Sequence, residues 1–172
     1  AFATMILRDQ LADVPKDEPP GLGDVMRWLG TSKAGISSLF ALTNRSKRSV
    51  VLNLREARAR ELLLELVAKA DVFVQNFRPG VVERLGFDEP TLRALRPSLI
   101  YVSISAFGAT GPYAHKPAYD HILQGISGFA GVQGNPQTGR PEHVKNAICD
   151  KLTALVVAQG ITAALLARER GM

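Results

Sequence analysis

The sequence predicts a mixed α/β domain in which a parallel sheet is flanked by helices. Segments of strand composition alternate with segments of helical composition along most of the chain, and this alternation is typical of parallel sheets. One strand segment, 99–105, is apolar and β-branched over nearly its whole length, as expected of a strand that helices cover on both faces. The 172 residues are enough for one domain with a sizeable core.

Composition and charge exclude several classes of protein. Hydrophobic residues make up 46% of the chain and charged residues 22%, which is the balance of a folded protein and not of a disordered one. The single cysteine, Cys149, forms no internal disulfide, so we expect a reducing compartment: the cytoplasm, or the mitochondrial or peroxisomal matrix in a eukaryote. No continuous apolar run reaches the roughly 18–20 residues of a membrane-spanning helix. The net charge of +5 favours an anionic partner, and a nucleic acid, a phosphorylated cofactor and plain surface charge all stay open.

The first half of the chain contains the clearest strand and helix signals. A strand at 50–54, a helix at 56–70 and a strand at 71–75 form a βαβ unit, because apolar residues at helical spacing separate two β-rich runs. Before this unit we predict a helix at 1–12, an edge strand at 14–18 that begins near Pro15, and a long surface loop at 19–43 with many Gly, Pro and Ser residues.

The second half repeats the alternation of helix and strand. A short helix runs through Leu95, with Asp88 as its N-cap and Pro90 in its first turn. The strand at 99–105 follows, and a turn-rich segment lies at its carboxyl end, where ligands bind in open α/β sheets. The remaining elements that we predict are a glycine-interrupted helix at 119–131, a polar loop at 132–145 and a long apolar helix at 150–170.

Two segments carry groups that suit an anionic ligand. Asn44, Arg45, Lys47 and Arg48 lie directly before the predicted strand at 50–54, and guanidinium and ammonium groups bind phosphate oxygens well. A solvated basic turn is the more common explanation of such a charge run, and both interpretations stay open.

The second segment follows the predicted strand at 71–75. It contains Asn76 and Arg78 and leads into a short helix with Arg84 one turn in. Free backbone N–H groups at a helix N-terminus beside the carboxyl end of a strand can bind an anion. The alternative is that Asn76 only caps this helix.

Asp150 is the candidate for covalent chemistry. It stands at the start of the predicted long helix, where the helix dipole stabilises a carboxylate, and it is either an ordinary N-cap or a carboxylate nucleophile. The three histidines lack the spacing of metal ligands, and no serine lies in a Gly-x-Ser-x-Gly turn. The sequence therefore predicts neither a metal site nor a serine hydrolase.

Six segments, in order along the chain, resemble the class III CoA-transferase family. This family, also called the CaiB/BaiF type, includes formyl-CoA transferase, carnitine CoA-transferase and α-methylacyl-CoA racemase. The matching segments are 2–7, Pro-Gly-Leu-Gly-Asp at 20–24, Asn-Arg-Ser-Lys-Arg-Ser at 44–49, Asn-Phe-Arg-Pro-Gly through Arg-Leu-Gly at 76–86, the stretch from Tyr to Gly-Pro at 101–112, and Pro-Ala-Tyr-Asp at 117–120.

The resemblance implies a coenzyme A site on a Rossmann-like large domain. Residues 1–172 would be an incomplete portion of that domain, without the family's first strand and C-terminal half, and the full-length protein would form an interlocked homodimer. Coenzyme A would be a co-substrate, with no tightly bound cofactor and no metal. The residues implied in binding it are Asn44, Arg45, Lys47, Arg48, Asn76, Arg78, Arg84 and Tyr119.

The resemblance also implies the reaction. Asp150 stands at the family's catalytic aspartate, which attacks the acyl-CoA thioester and forms a covalent aspartyl intermediate before CoA passes to a carboxylic acid acceptor. Racemase members have a histidine where this chain has Tyr119, and tyrosine is a poor proton acceptor at neutral pH because its ordinary pKa is about 10. Transferase chemistry is therefore favoured over racemase chemistry.

A non-catalytic fragment that binds a nucleic acid or another anion is the competing class. Readers of nucleic acids interleave aromatic and basic residues or present a basic helix. This chain has one Trp and no basic helix, so coenzyme A is the better anion, and we expect neither a nucleic acid nor a membrane as a partner.

Overall fold

The computed structural model describes residues 1–172 and consists of short strands between helices of very different length. The helices are α1 (Phe2–Asp9), α2 (Ser38–Asn44), α3 (Ala57–Val67), α4 (Val81–Leu85), α5 (Glu89–Leu95), α6 (Asp120–Ile126), α7 (Phe129–Val132) and α8 (Ile148–Glu169). The strands are β1 (Pro15–Glu18), β2 (Ser32–Lys33), β3 (Ile36–Ser37), β4 (Arg48–Val51), β5 (Val72–Gln75) and β6 (Ile100–Ser103). One turn of 3₁₀-helix covers Val25–Arg27.

The strands pair two by two. β1 and β4 are parallel, with Pro15 opposite Arg48, and β5 and β6 are parallel, with Val72 opposite Ile100. β2 and β3 form a small antiparallel hairpin. The predicted α/β class and its parallel pairing are confirmed, but hydrogen bonds between strands do not extend beyond each pair.

The β5–β6 pair is covered by helices on both faces. Alternate side chains of a strand point to opposite faces. Phe73 and Tyr101 accordingly pack into a core built under α3, α4 and α5. Val72, Val74 and Val102 pack on the other face against α1 and α8. This double coverage explains why the sequence of these strands is apolar at successive positions. The fully buried side chains of the first core are Val67, Val82, Phe87, Leu92 and Leu99.

The long helix α8 is attached to the sheet at its C-terminal end. Arg168 lies 3.0 Å from the Asp71 carboxylate through Nη2 and donates from Nη1 to the Ser98 carbonyl oxygen at 3.3 Å. Asp71 and Ser98 directly precede the segments that form β5 and β6. Arg96 donates to the same Asp71 oxygen at 3.0 Å. This end of α8 is therefore fixed to the amino ends of both strands.

Most predicted elements lie where the sequence put them, with shifted ends. The strand predicted at 50–54 is Arg48–Val51, because its register follows β1 and the chain turns after it, with the Glu56 N–H donating to the Asn53 carbonyl. Asp88 caps α5 as predicted, accepting from the Thr91 N–H at 3.0 Å. The helix predicted at 119–131 is two helices, since Gly128 adopts a φ of +80° between them.

The segment 19–43 was predicted as a loop and contains regular structure. Gly35, with a φ of +77°, lies in the turn of the β2–β3 hairpin. Ser37 is the N-cap of α2, with its Oγ accepting from the Leu39 and Phe40 N–H groups. The capping serine is the sequence signal for this helix that the abundance of Gly, Pro and Ser obscured.

No continuous apolar run has the length of a membrane span, but helix α8 as a whole is long and apolar enough for one. Its 22 residues meet that test by length and composition, because the few charged residues lie near its two ends. Core helices have the same properties. Since α8 packs against α1 and β6, we interpret it as a helix of the α/β domain.

Candidate active site

Asp150 lies in the first turn of α8 but does not cap it. The helix begins at Ile148, its N-cap is Ala147, and no side chain of the cap residue bonds the helix. The N-cap interpretation of Asp150 is therefore wrong. The residue is exposed, and its carboxylate accepts no hydrogen bond from the chain. A carboxylate that is unpaired and close to the positive end of a helix dipole is available for chemistry.

The start of α8 is capped instead by Asp120, the first residue of α6. Asp120 is only 4% exposed, and its Oδ1 accepts the Asp150 backbone N–H at 2.9 Å. Its Oδ2 accepts from Gln124 Nε2 at 2.5 Å. Gln124 is fully buried and bonds the loop before α8, accepting from the Val144 N–H at 2.8 Å and donating to the Asn146 carbonyl at 3.1 Å.

Sequence analysis missed Asp120 and Gln124 as site residues. The only signal was a polar pair four residues apart, which places both side chains on one face of a helix. The partner of that pair, the Asp150 N–H, is 30 residues away, and no periodicity reports such a contact.

The environment of Asp150 raises its pKa. Partial burial of the carboxylate is the largest cause, and the negative charge of Asp120 is the second. The electrostatic interaction with His121 acts in the opposite direction. The carboxylate of Asp150 is thus more basic than an ordinary aspartate.

The cations of the segment 44–49 already have partners within the chain. Arg45 pairs with Asp9, with Nε 3.1 Å from Oδ1, and Arg48 pairs with Asp13 at 3.0 Å between the same atom types. Both pairs are exposed, and exposed ion pairs contribute little to stability. Arg45 and Arg48 are therefore free to exchange their carboxylates for another anion.

Lys47 is held more firmly. Its Nζ donates to the Ala1 and Thr43 carbonyls, each at 2.7 Å, and to Asn44 Oδ1 at 3.1 Å. Burial, followed by the charge of Lys16, lowers the pKa of Lys47 to about 8. This lysine therefore ties the basic segment to the start of α1.

The basic segment and Asp150 lie at the same end of the molecule. Lys47 Nζ donates to the carbonyl oxygen of Ala1, the residue before α1. Helix α1 packs along α8, and the backbone of Ala1 lies close enough to Asp150 to feel its charge. The structure thus brings the predicted nucleophile and part of the predicted anion site together.

Asn76, Arg78 and Arg84 surround the turn after β5, and all three are exposed. The N-cap of α4 is Gly80, with a φ of +83° and no side-chain cap bond, so the alternative in which Asn76 caps this helix is wrong. Neither arginine forms an ion pair within the chain, whereas most other arginines do. Their charges are available to a ligand. Tyr119, next to Asp120, is 80% exposed.

A buried ionic cluster, which sequence analysis also missed, holds the segment 19–43 to β1. Glu18 is 2% exposed and accepts from Arg27 Nε and Nη2 at 2.7 and 2.9 Å, from Ser49 Oγ at 3.0 Å and from the Asp24 N–H at 3.0 Å. The Arg27 guanidinium lies 3.8 Å from the centre of the Phe40 ring, a favourable cation–π distance.

A cavity of about 380 Å³ opens at the carboxyl ends of β5 and β6. Gln75 and Ser103 form its floor, and Glu83, Asp88 and Glu89 give it negative charge. None of the predicted site residues lines it. Its charge does not suit phosphate groups.

Residues 1–171 match the family model of CoA-transferase family III. The chain belongs to this family. The match covers the basic segment, the turn after β5, the segment that contains Tyr119, and Asp150.

Curated relatives of this family III chain are named as CoA-transferases. The acetyl-CoA:oxalate CoA-transferase of Acetobacter aceti is 46% identical over 98% of this chain and 43% of its own length. The succinate–glutarate CoA-transferase of Agrobacterium fabrum is 40% identical over 96% of this chain and 43% of its own length. The chain thus spans less than half the length of these relatives.

Solved structures of the family have the same fold. A CAIB/BAIF family protein from Brucella suis superposes with a TM-score of 0.92 at 38% identity, covering 99% of this chain and 46% of that one. Rv3272 from Mycobacterium tuberculosis superposes with a TM-score of 0.90 at 34% identity, covering 98% of this chain and 47% of that one.

Proposed function

We propose that the full-length protein transfers coenzyme A from an acyl-CoA donor to a carboxylic acid acceptor through a covalent intermediate on Asp150. The observation that carries this proposal is the exposed, unpaired carboxylate in the first turn of α8, in a family III chain. A nucleophile must be accessible, and the Asp150 carboxylate is exposed at a helix start whose dipole favours its ionised form.

The proposed reaction needs no group beyond the two substrates and Asp150. A carboxylate oxygen of Asp150 attacks the thioester carbonyl carbon, the carbon–sulfur bond breaks, and its electron pair leaves with sulfur as CoA thiolate. The thiolate then attacks the aspartyl carbonyl of the mixed anhydride and expels the donor acid as a carboxylate. The resulting aspartyl-CoA thioester reacts with the acceptor carboxylate in the same two steps, which regenerates Asp150.

Coenzyme A would bind between the basic segment and the turn after β5. Arg45 and Arg48 hold only exposed carboxylate partners, and Arg78 and Arg84 hold none. These guanidinium groups would bind the phosphates, since bidentate contacts with phosphate are strong. Lys47 already has three oxygen acceptors, so we assign it to the support of the segment, where it keeps Asn44 in place.

The acceptor is a carboxylic acid. The names of the relatives include oxalate and glutarate, and their reaction type requires an acid that can become a CoA thioester. The full-length protein would work as an interlocked homodimer in a reducing compartment. In support of a covering partner or further chain, large apolar side chains of α8 are exposed, namely Leu152, Leu155, Val156 and Leu166.

The experiment is to trap the intermediate on the full-length protein. After incubation with acyl-CoA, borohydride or hydroxylamine followed by peptide mass spectrometry should modify Asp150 alone. Asp150→Asn should abolish transfer, because an amide is not an anionic nucleophile. Full activity of that variant would refute the proposal.

Cys149 provides the matched control. Its neighbours raise the pKa of its thiol, chiefly by burial, so the reactive thiolate is scarce at neutral pH. Cys149→Ser should therefore transfer CoA at the wild-type rate. Trapping at Cys149 instead of Asp150 would contradict the assignment of the nucleophile.

Transfer of an α-proton, as in racemases, is the second candidate function. One observation supports it: His121 lies near enough for its charge to lower the pKa of Asp150. The residue at the racemase position is Tyr119, however, and a phenol is a poor base at neutral pH. Exchange of α-deuterium from solvent into acyl-CoA, without any acceptor acid, would identify this activity.

A further inference from the structure

Helix α8 depends on another helix for the cap at its first turn. Its own N-cap residue, Ala147, has no polar side chain, and no cap bond forms there. The backbone N–H of Asp150 is one of the groups that every helix leaves without an intrahelical partner. This N–H donates to Asp120, which is buried in α6.

The site at position 120 requires two acceptors. Oδ1 of Asp120 faces the Asp150 N–H, and Oδ2 faces the amide nitrogen of Gln124. Gln124 cannot turn its amide around, because its oxygen accepts from the Val144 N–H and its nitrogen donates to the Asn146 carbonyl. An asparagine at position 120 would therefore point its NH₂ group at a donor in either orientation.

We propose that Asp120 is a positioning residue for the CoA-transfer reaction, which holds the backbone of Asp150 so that its carboxylate faces the substrates. This inference rests on the proposed function of Asp150. Asp120 touches no substrate in this scheme. It acts through one hydrogen bond to the nucleophile's own backbone and through its charge.

Besides its hydrogen bond, Asp120 acts on Asp150 through its negative charge, which changes the pKa of the Asp150 carboxyl. On α6, Asp120 raises the pKa of Asp150 and His121 lowers it. On α8 itself, Cys149 is a thiol whose pKa is raised by burial and then by both carboxylates. The negative charge of Asp120 therefore makes the nucleophile more basic, and a more basic oxygen donates its electron pair more readily.

Asp120→Asn in the full-length enzyme tests the proposal. We expect kcat to fall roughly 10- to 100-fold, since small displacements of a reacting group have effects of this size. KM for acyl-CoA should stay within about twofold, because no binding contact is removed. The acid limb of the pH profile should move to lower pH, because loss of a neighbouring negative charge lowers the pKa of Asp150.

Asp120→Ser tests the role of Asp120 without the repulsion between two N–H groups that asparagine introduces. Serine is neutral and shorter than aspartate, so it removes both carboxylate acceptors without pointing an NH₂ group at the Asp150 N–H or at Gln124. The same shift of the acid limb is expected in this variant. If Asp120→Asn does not fold, Asp120→Ser supplies the measurement.

Asp88→Asn is the matched control. Asp88 also accepts a backbone N–H at a helix start, on α5, so its replacement measures the general effect of losing an acidic cap. We expect wild-type kcat and pH profile from it. The positioning role would be overturned if both neutral variants of Asp120 kept the wild-type kcat and acid limb. The proposed function would stand in that case, provided that Asp150 is still trapped as the nucleophile. Failure to trap Asp150 would overturn the proposed function itself.

Discussion

Replacing Glu18 by glutamine tests how the segment 19–43 is held to the sheet. The substitution keeps the size of the side chain and removes the charge that faces Arg27. The Arg27 guanidinium is the largest of the causes that lower the pKa of Glu18 from 4.5 to about 2. Hydrogen bonds from the Asp24 N–H and from Ser49 act in the same direction.

The lowered pKa of Glu18 indicates how much free energy of unfolding Glu18→Gln should remove. A change from 4.5 to about 2 corresponds to about 3–4 kcal/mol, at about 1.4 kcal/mol per pKa unit. Arg27 is 37% exposed, and solvent screens the pair, so we expect a cost of about 1–3 kcal/mol. Since the folded-state pKa is the lower one, this stabilisation is complete above pH 4.5 and is lost as the pH falls toward 2.

Hydrogen exchange of the full-length protein is the assay, because it reports local opening of one segment. Amides of 19–43 should exchange on the order of 10- to 100-fold faster in Glu18→Gln at pH 7, where opening is governed by the lost free energy. Glu61→Gln is the control, since the Arg58–Glu61 pair is exposed and should leave exchange unchanged. Equal exchange in wild type and Glu18→Gln would refute the argument that this cluster holds the segment.

Three further predictions concern the core and the ligand site. Leu99 is 1% exposed, and Leu99→Ala should lower the free energy of unfolding in urea by about 2–5 kcal/mol. Leu95 is 45% exposed, so Leu95→Ala should lower it by less than about 1 kcal/mol. Equal losses in the two variants would contradict the core assignment. Arg84→Gln should raise KM for acyl-CoA roughly 10-fold or more with kcat kept, as expected for a lost charged hydrogen bond, and an unchanged KM would remove Arg84 from the site. The Lys47 amine should titrate near pH 8 in an NMR titration. Between pH 8 and 10.5 the unfolded chain holds a proton on this amine that the folded chain has lost, so the free energy of unfolding rises with pH over that range. A titration midpoint above pH 10 would show that the amine is not buried.

The sequence predicted the elements whose signals are local. The βαβ unit from β4 to β5 was visible because apolar periodicity changes from strand to helix and back. Asp88 was identifiable as a cap since the residues that it bonds are its neighbours in the chain. Pro15 begins β1 as expected, because proline is compatible with the first position of a strand.

Features that depend on distant residues were not predictable in this way. The contact of Asp120 with Asp150 joins two helices across a polar loop, and the partners of Glu18 come from two segments, the 3₁₀ turn with its cap and β4. The pairing of strands is a similar case. Hydrogen bonds join β1 to β4 and β5 to β6 but do not join the two pairs, and local composition does not report which strands become neighbours.

Helix α8 is fixed at its C-terminal end, and a rotation about that fixed end, the pivot, moves Asp150 at the other end. Arg168 fixes one end to Asp71, and Asp150 sits near the other end, about 27 Å away at about 1.5 Å per residue. A tilt of about 3° at the pivot would displace Asp150 by about 1.4 Å over that helical length. Displacements of this size are enough to disturb a reacting group. The position of Asp150, the proposed nucleophile, therefore depends in part on a salt bridge at the other end of the helix.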